Sequence, residues 1–387
     1  MGAVRARDIV IAVLAVMSVA VAPAVGQVLP PVESTAGFAQ ADAPRRFEFP
    51  RDHGPHPEFR QEWWYLTGNL DGADGARFGF ELTFFRIALT APPGTPEGAD
   101  ASKWRTRQVY MAHFAVTDVE ARSFRFAQKL SREAQGLAGA VGEPLRIWID
   151  DWTLVGGDGR WHIEAAEPGY ALALTLEAQG APVLNGEAGL SRKSSDPGSA
   201  SYYYSIPRLA ARGVLTHGGK SSSVTGLAWL DREWGSGGLG ADQTGWDWFA
   251  LQLEDGSALM FYALRDRDGG RDRYSAGTWM PANGEPRPLA SDAVRIEALA
   301  RWQSPAGVRY PSAWRIAVPS LALELQVRPV IATQELATTP RYWEGAVDAS
   351  GTRSGSALGG RGYVELVGYD GEQHGARLTG AAAPLAR

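Results

Sequence analysis

The chain repeats itself. Glu62-Trp63-Trp64-Tyr65-Leu66 is echoed by Asp247-Trp248-Phe249-Ala250-Leu251, and each run leads through an Asp-Gly turn into an apolar strand ending in arginine, at Arg86 and Arg265. The echo continues in order. Arg146-Ile147 with Trp152 is answered by Arg295-Ile296 with Trp302, and Tyr170 to Glu177 by Leu321 to Val327. Pro182-Val183-Leu184 is answered by Pro329-Val330-Ile331, Tyr203-Tyr204 by Tyr342-Trp343, and Gly226 to Leu230 by Gly362 to Leu366. Matches held in this order point to duplication of one folding unit. At 387 residues the chain also fits two domains, on a prior of roughly 150 residues each.

The repeated unit reads as β-structure. Glu62 to Leu70 and Arg77 to Ile87 flank Asp-Gly turn signals and form a hairpin pattern. In Gln108 to Thr117 both alternating sets are largely apolar, as in a strand between two packed layers. Further strand patterns cover Leu145 to Leu154, Arg160 to Ala165, Tyr170 to Ala178, Arg212 to Thr216 and Ser223 to Leu230. One helix is expected around Leu130 to Leu137. With 46 glycines, 24 prolines and 14 tryptophans, the composition is one of short strands, turns and large aromatic surfaces. Strands and long helices do not alternate, which disfavours a parallel α/β sheet. The expectation is an all-β protein with domains at 47–240 and 241–376, a lead-in at 27–46 and a tail at 377–387.

Arg5 and Arg7, the apolar run Ile9 to Ala22 and the small residues of Ala22-Pro23-Ala24 read as a signal peptide over 1–26, implying a periplasmic or secreted protein. The chain has no cysteine, which removes thiolate metal sites and cysteine nucleophiles. A net charge of -5 with interspersed signs offers no field for phosphate backbones, so nucleic acid is not an expected partner. Neither a G-x-S-x-G elbow nor an H-E-x-x-H zinc helix occurs. Gly235 to Gly240 satisfies G-x-G-x-x-G but lacks the βαβ frame that gives the motif meaning. His53, His56, Glu58 and Glu62 resemble a metal set, yet Pro55 and Pro57 make the segment an extended loop. His113 reads as a satisfied core histidine. No metal or cofactor is expected.

The stretch Gly226 to Trp248 sets Asp231, Arg232, Glu233 and Asp247 among Trp229, Trp234, Trp246 and Trp248. Charges against large aromatic surfaces are costly unless paired, exposed or used. A carboxyl buried against rings is held protonated and can act as an acid, while ring faces stabilise a nearby cation. Asp231 and Asp247 are therefore the candidate proton donors. Glu62, Trp63, Trp64, Tyr65, Tyr204, Arg232, Trp234, Trp246 and Glu344 are the candidate ligand-contacting residues. The competing reading is that the aromatics pack the barrel ends and the acids pair with Arg60, Arg86, Arg232 or Arg341.

Five blocks carry a family resemblance: HGPHPEFRQEWWYLTGNL (His53 to Leu70), YYYS (Tyr202 to Ser205), GLAWLDREWGS (Gly226 to Ser236), GWDWFALQL (Gly245 to Leu253), and YWEGAV with GRGYVELVGY (Tyr342 to Val347, Gly360 to Tyr369). Together they resemble the exported AttH-like proteins, which are similar to carotenoid 1,2-hydratases. The resemblance implies two tandem lipocalin-like antiparallel β-barrels and a cavity for an apolar ligand. The hydratase pattern D-H-N-W stands here as Asp231-Arg232-Glu233-Trp234, and Arg232 cannot exchange a proton near neutral pH. The leading expectation is thus an exported protein that binds an apolar small molecule or lipid in a tryptophan-lined cavity. A membrane transporter as its partner is implied by the family alone. The alternative is a hydratase- or hydrolase-like enzyme that protonates an isoprenoid or lipid in the same cavity.

Overall fold

Alternation with a period of two decides the architecture. The computed structural model describes residues 35–92 and 106–371, and these contain short 3-10 turns but no α-helix. The expected signal segment, the start of the lead-in and the tail lie outside the described residues.

The first sheet comprises β1 (Gln61–Gly72), β2 (Arg77–Ala88), β3 (Gln108–Asp118), β4 (Ser123–Arg132), β5 (Ala138–Val141), β6 (Leu145–Ile149), β7 (Trp152–Gly157), β8 (Arg160–Glu167), β9 (Tyr170–Ala178), β10 (Val183–Leu184), β11 (Leu190–Arg192), β12 (Ala200–His217) and β13 (Lys220–Gly235). The second comprises β14 (Gln243–Leu253), β15 (Ala258–Asp266), β16 (Ala276–Met280), β17 (Arg287–Ala290), β18 (Arg295–Gln303), β19 (Arg309–Val318), β20 (Leu323–Pro329), β21 (Glu335–Leu336), β22 (Tyr342–Arg353) and β23 (Ser356–Val367).

The first sheet runs β4-β3-β2-β1-β13-β12-β9-β8-β7-β6-β5. Its outer strands β4, β5 and β6 meet, and there Lys129 ion-pairs with Asp151 and sits 4.7 Å from the Trp152 ring, so the sheet is a nearly closed barrel. The second sheet, β17-β16-β15-β14-β23-β22-β20-β19-β18, is a half-barrel on the same plan. In each, the opening strand lies antiparallel between its hairpin partner and the last strand: β1 between β2 and β13, β14 between β15 and β23. The sequence echo is thus an echo of topology.

Each barrel's inward alternation is filled. Trp64, Phe80, Phe84, Phe114, Trp152, Trp161 and Trp234 pack the first core, and Phe249, Trp279, Trp314 and Trp343 the second. These tryptophans fill packed interiors in place of the tryptophan-lined calyx that the sequence suggested. The outward faces of the central strands pack against each other: Tyr65, Tyr203 and Trp229 from the first sheet meet Trp248, Met260, Tyr262 and Tyr363 from the second. The doubly apolar strand fits between these layers as expected. Tyr110, Ala112, Phe114 and Val116 of β3 point into the barrel, while His113 and Ala115 face the second sheet.

The expected helix around Leu130 to Leu137 is not formed. Ser123–Arg132 is strand β4, in unbroken register with β3, and a 3-10 turn at Ala134–Gly136 follows. The ladder with β3 outweighs local helix propensity. A helix would have needed to bury its leucines, whereas Leu130 and Leu137 stay about half exposed, at 51% and 48%.

Candidate active site

Strand alternation divides the acidic and aromatic residues of the sequence into two groups with different surroundings. Glu62, Trp64, Tyr204, Arg232 and Trp234 point into the first barrel. There Glu62 ion-pairs with Arg86 through one oxygen and, at 2.8 Å, with Arg232 through the other, and both oxygens accept from the His56 backbone N–H at 3.1 Å. Arg232 lies 4.0 Å from the Trp64 ring centre and donates to the carbonyls of Gly54 at 2.5 Å and Trp63 at 3.0 Å. Burial opposes ionisation of Glu62, but Arg86 and Arg232 outweigh it and hold the carboxyl well below its usual range. This is a structural plug. The second barrel repeats it in its own register, where Asp247 pairs with Arg265 and accepts from the Tyr369 hydroxyl at 2.9 Å. Asp247 therefore stands apart from Asp231.

The second group faces the seam between the sheets. Tyr65, Asp231, Trp246 and Glu344 lie there, joined by Glu81, Tyr203, Trp229, Trp248, Tyr342 and Glu365. Trp63 borders it, partly buried. Asp231 accepts from Tyr203 at 2.5 Å, Ser205 at 2.5 Å and the Trp229 indole at 2.7 Å. Trp248 in turn donates to the Tyr203 hydroxyl at 3.1 Å. Tyr65 donates to Glu344, whose second oxygen is buried and has no hydrogen-bond partner. Glu344 and Glu365 stand directly opposite each other on β22 and β23, and the Trp246 indole donates to Glu365 at 2.7 Å. Glu81 accepts from Thr83 and from Tyr342, both at 3.0 Å. His113 Nδ1 lies 2.6 Å from the same Tyr342 hydroxyl, and Gln128 donates to its other nitrogen at 2.9 Å.

Positive charge is scarce here. Lys193 pairs with Glu233 at 3.0 Å, while Glu81, Asp231, Glu344 and Glu365 have no ion pair among the described residues. Burial pushes Asp231 up to about 7 against its three donors, and Glu365 up to about 7. It takes Glu81 to about 8, and burial with the charges of Glu81 and Glu365 lifts Glu344 well above the carboxylate range. Burial lowers His113 to about 3, leaving a neutral imidazole. Like charges opposite each other on adjacent strands are unfavourable, so the carboxyls keep protons into the neutral range.

Stability should record this. The folded state keeps protons at these four acids that the unfolded chain releases, so their contribution is full only below about pH 4 and is lost progressively as pH rises from there through about 7 to 8. The pairing of Glu62 has the opposite sign, being lost only in stronger acid. Thermal melts between about pH 5 and about pH 8.5 should show a falling midpoint, with a shallower fall in Glu365→Gln. A flat or rising midpoint would contradict protonated acids at the seam.

Glu81 and Glu365 were not singled out in the sequence. Glu81 alternates with Phe80 and Leu82, and Glu365 with Val364 and Leu366, the pattern of a strand with one wet face. The available signal was the aromatic content of that outer face, in Tyr65, Tyr203, Trp229, Trp246 and Trp248.

Fold and site together define two fused lipocalin-like β-units with a buried, acid-rich seam. Residues 40–369 match the AttH-like family, and the chain belongs to it. The crystal structure of an AttH protein from Nitrosomonas europaea is 35% identical, with a TM-score of 0.76 over 86% of this chain and 100% of the other. Kievitone hydratase from Nectria haematococca shares the fold at 15% identity, with a TM-score of 0.65 over 88% of this chain and 98% of that one. Dehydratase asqC of Emericella nidulans is 25% identical over 223 residues, 53% of this chain; the match spans 60% of that protein's length.

Proposed function

We propose that the protein is a hydro-lyase, adding water to or removing it from an apolar small molecule at the seam between its two β-units. The observation that carries this is Glu344: a fully buried carboxyl, 1% exposed, with one oxygen receiving the Tyr65 hydroxyl and the other without a partner. A neutral carboxyl so held has its own O–H free to donate to a substrate atom.

Glu365, opposite it, is the complementary base. In hydration Glu344 gives its proton to an alkene carbon, Glu365 takes one from water, and the hydroxide equivalent bonds to the cationic carbon. Proton exchange between the two carboxyls resets the pair. In dehydration the same steps run backwards, with protonated Glu365 giving its proton to the departing hydroxyl and the Glu344 carboxylate taking one from the neighbouring carbon. Trp246 and Trp248 present ring surface to the developing cation. Asp231, accepting three donors, anchors Tyr203 and Trp229. A curated relative named a dehydratase supports this chemistry over the carrier reading.

The test is incubation with a solvent extract of host cells in 18O-labelled water. An apolar species that gains or loses one water, with label in the hydrated form, is the expected result. Failure of any species to change, or the same change with Glu344→Gln, would overturn the reading.

A further inference from the structure

The seam opens at one end into a groove of about 290 Å³ whose lining includes Asn69, Asp71, Arg208, Leu227, Gln252 and Arg361. A space of only about 10 Å³ between Thr67, Trp229, Ala250 and Tyr363 shares Asn69 and Gln252 with it, on the side of the groove nearer the seam aromatics. Asn69 lies on the same face of β1 as Tyr65, about 13 Å further along at the rise of a strand.

Most polar groups of this groove are already engaged. Arg361 meets both oxygens of Asp71 at 2.8 Å. Gln252 donates to the carbonyls of Pro207 at 2.7 Å and Ala228 at 3.0 Å, and Asn69 to that of Gly362 at 3.0 Å. Glu254 is exposed at the rim, and Asp255 is paired with Arg353 at 2.7 Å. Arg208 differs. It is half-buried, and its guanidinium makes one long contact, 3.4 Å to the Leu253 carbonyl, with no carboxylate in ion-pair range among the described residues. Burial pulls its pKa below the usual arginine value, and the more distant charge of Asp255 offsets this only in part.

Its placement has a backbone cause. β12 and β13 lose register between Ile206 and Leu209, so Pro207 and Arg208 form a bulge. Such bulges re-aim a side chain out of the strand alternation. We infer that Arg208 holds the carboxylate of an amphipathic substrate whose apolar body runs along Trp229 and Tyr363 toward Glu344. A carboxylate matches one free guanidinium fork and adds a single charge beside Glu254. This inference rests on the hydro-lyase reading only for what happens at the far end of the substrate.

Titration of tryptophan fluorescence with decanoate and with decanol separates the two claims. Decanoate should bind about ten-fold more tightly than decanol. Arg208→Gln should abolish that preference, and Arg208→Lys, which keeps the charge but loses the fork, should retain part of it. Glu344→Gln should leave it intact, and a failed acid–base reading would appear as absent turnover by the unaltered protein with the preference preserved. Equal affinity for acid and alcohol, a preference that survives Arg208→Gln, or no saturable binding of either compound would overturn the inference.

Discussion

Replacing Glu62 with alanine should cost about 3–5 kcal/mol of folding stability, a large share of the 5–15 kcal/mol margin typical of folded domains. The side chains of Glu62, Arg86 and Arg232 are almost completely buried. Glu62 is the carboxylate that both guanidiniums share, and its loss leaves two buried cations facing backbone carbonyls: His56 and Phe59 for Arg86, Gly54 and Trp63 for Arg232. Those carbonyls satisfy hydrogen bonds but carry no compensating charge. Chemical denaturation at neutral pH would measure the loss. A cost under about 1 kcal/mol would mean that the plug behaves as a solvated ion pair. The triple change Glu62→Leu, Arg86→Met and Arg232→Met should recover much of the stability, because it removes the charges along with their partner. Asp247→Ala should cost less, since both Asp247 and Arg265 keep some solvent contact.

That prediction also fixes the meaning of Arg232. At the sequence level it occupies a position where the hydratase pattern has a proton-exchanging histidine, which makes it look like a broken catalytic residue. In the fold its side chain lies inside the first barrel, on the opposite face of β13 from Asp231. It therefore neither supplies nor blocks acid chemistry at the seam.

How much of the molecule could be read from the chain follows from the same alternation. The duplication was legible because opening strand, hairpin partner and last strand recur in order, and the pairs Glu62 with Arg86 and Asp247 with Arg265 recur with them. Tyr203-Tyr204 and Tyr342-Trp343 even match face for face: Tyr203 and Tyr342 turn to the seam, Tyr204 and Trp343 to the barrel cores. What could not be read was which carboxyls share a space. Neighbours in a strand diverge, so Glu62 and Tyr65, or Asp231 and Arg232, belong to different sites despite their closeness in sequence. The seam itself is built from residues far apart in the chain, Tyr65 with Glu344 and His113 with Tyr342. Only docking of one sheet on the other buries the wet-looking position of Glu81 and partly covers that of Glu365.

Glu344→Gln should lower turnover by about 10²- to 10⁴-fold while leaving ligand affinity nearly unchanged, since it removes general-acid catalysis and preserves side-chain volume. The amide can still accept the Tyr65 hydroxyl at its oxygen, so loss of activity would report the missing acidic proton and not a disordered seam. Asp231→Asn provides the contrast. Its remaining carbonyl oxygen can keep the Ser205 and Trp229 contacts, while its NH2 must face the Tyr203 hydroxyl and turn it, so a loss of about ten-fold is expected. If the order were reversed, Asp231 would be the acid and Glu344 the anchor. The pH profile adds a second discriminant. With Glu365 as base at about 7 and Glu344 as acid above it, kcat/KM should rise through about pH 7 and fall at higher pH, and Glu365→Gln should remove the rising limb. The charge of Glu365 helps raise Glu344 across the strand pair, so Glu365→Gln should also move the falling limb to lower pH. Independent limbs would mean that the two carboxyls do not share a proton, and the acid–base pairing across β22 and β23 would have to be abandoned.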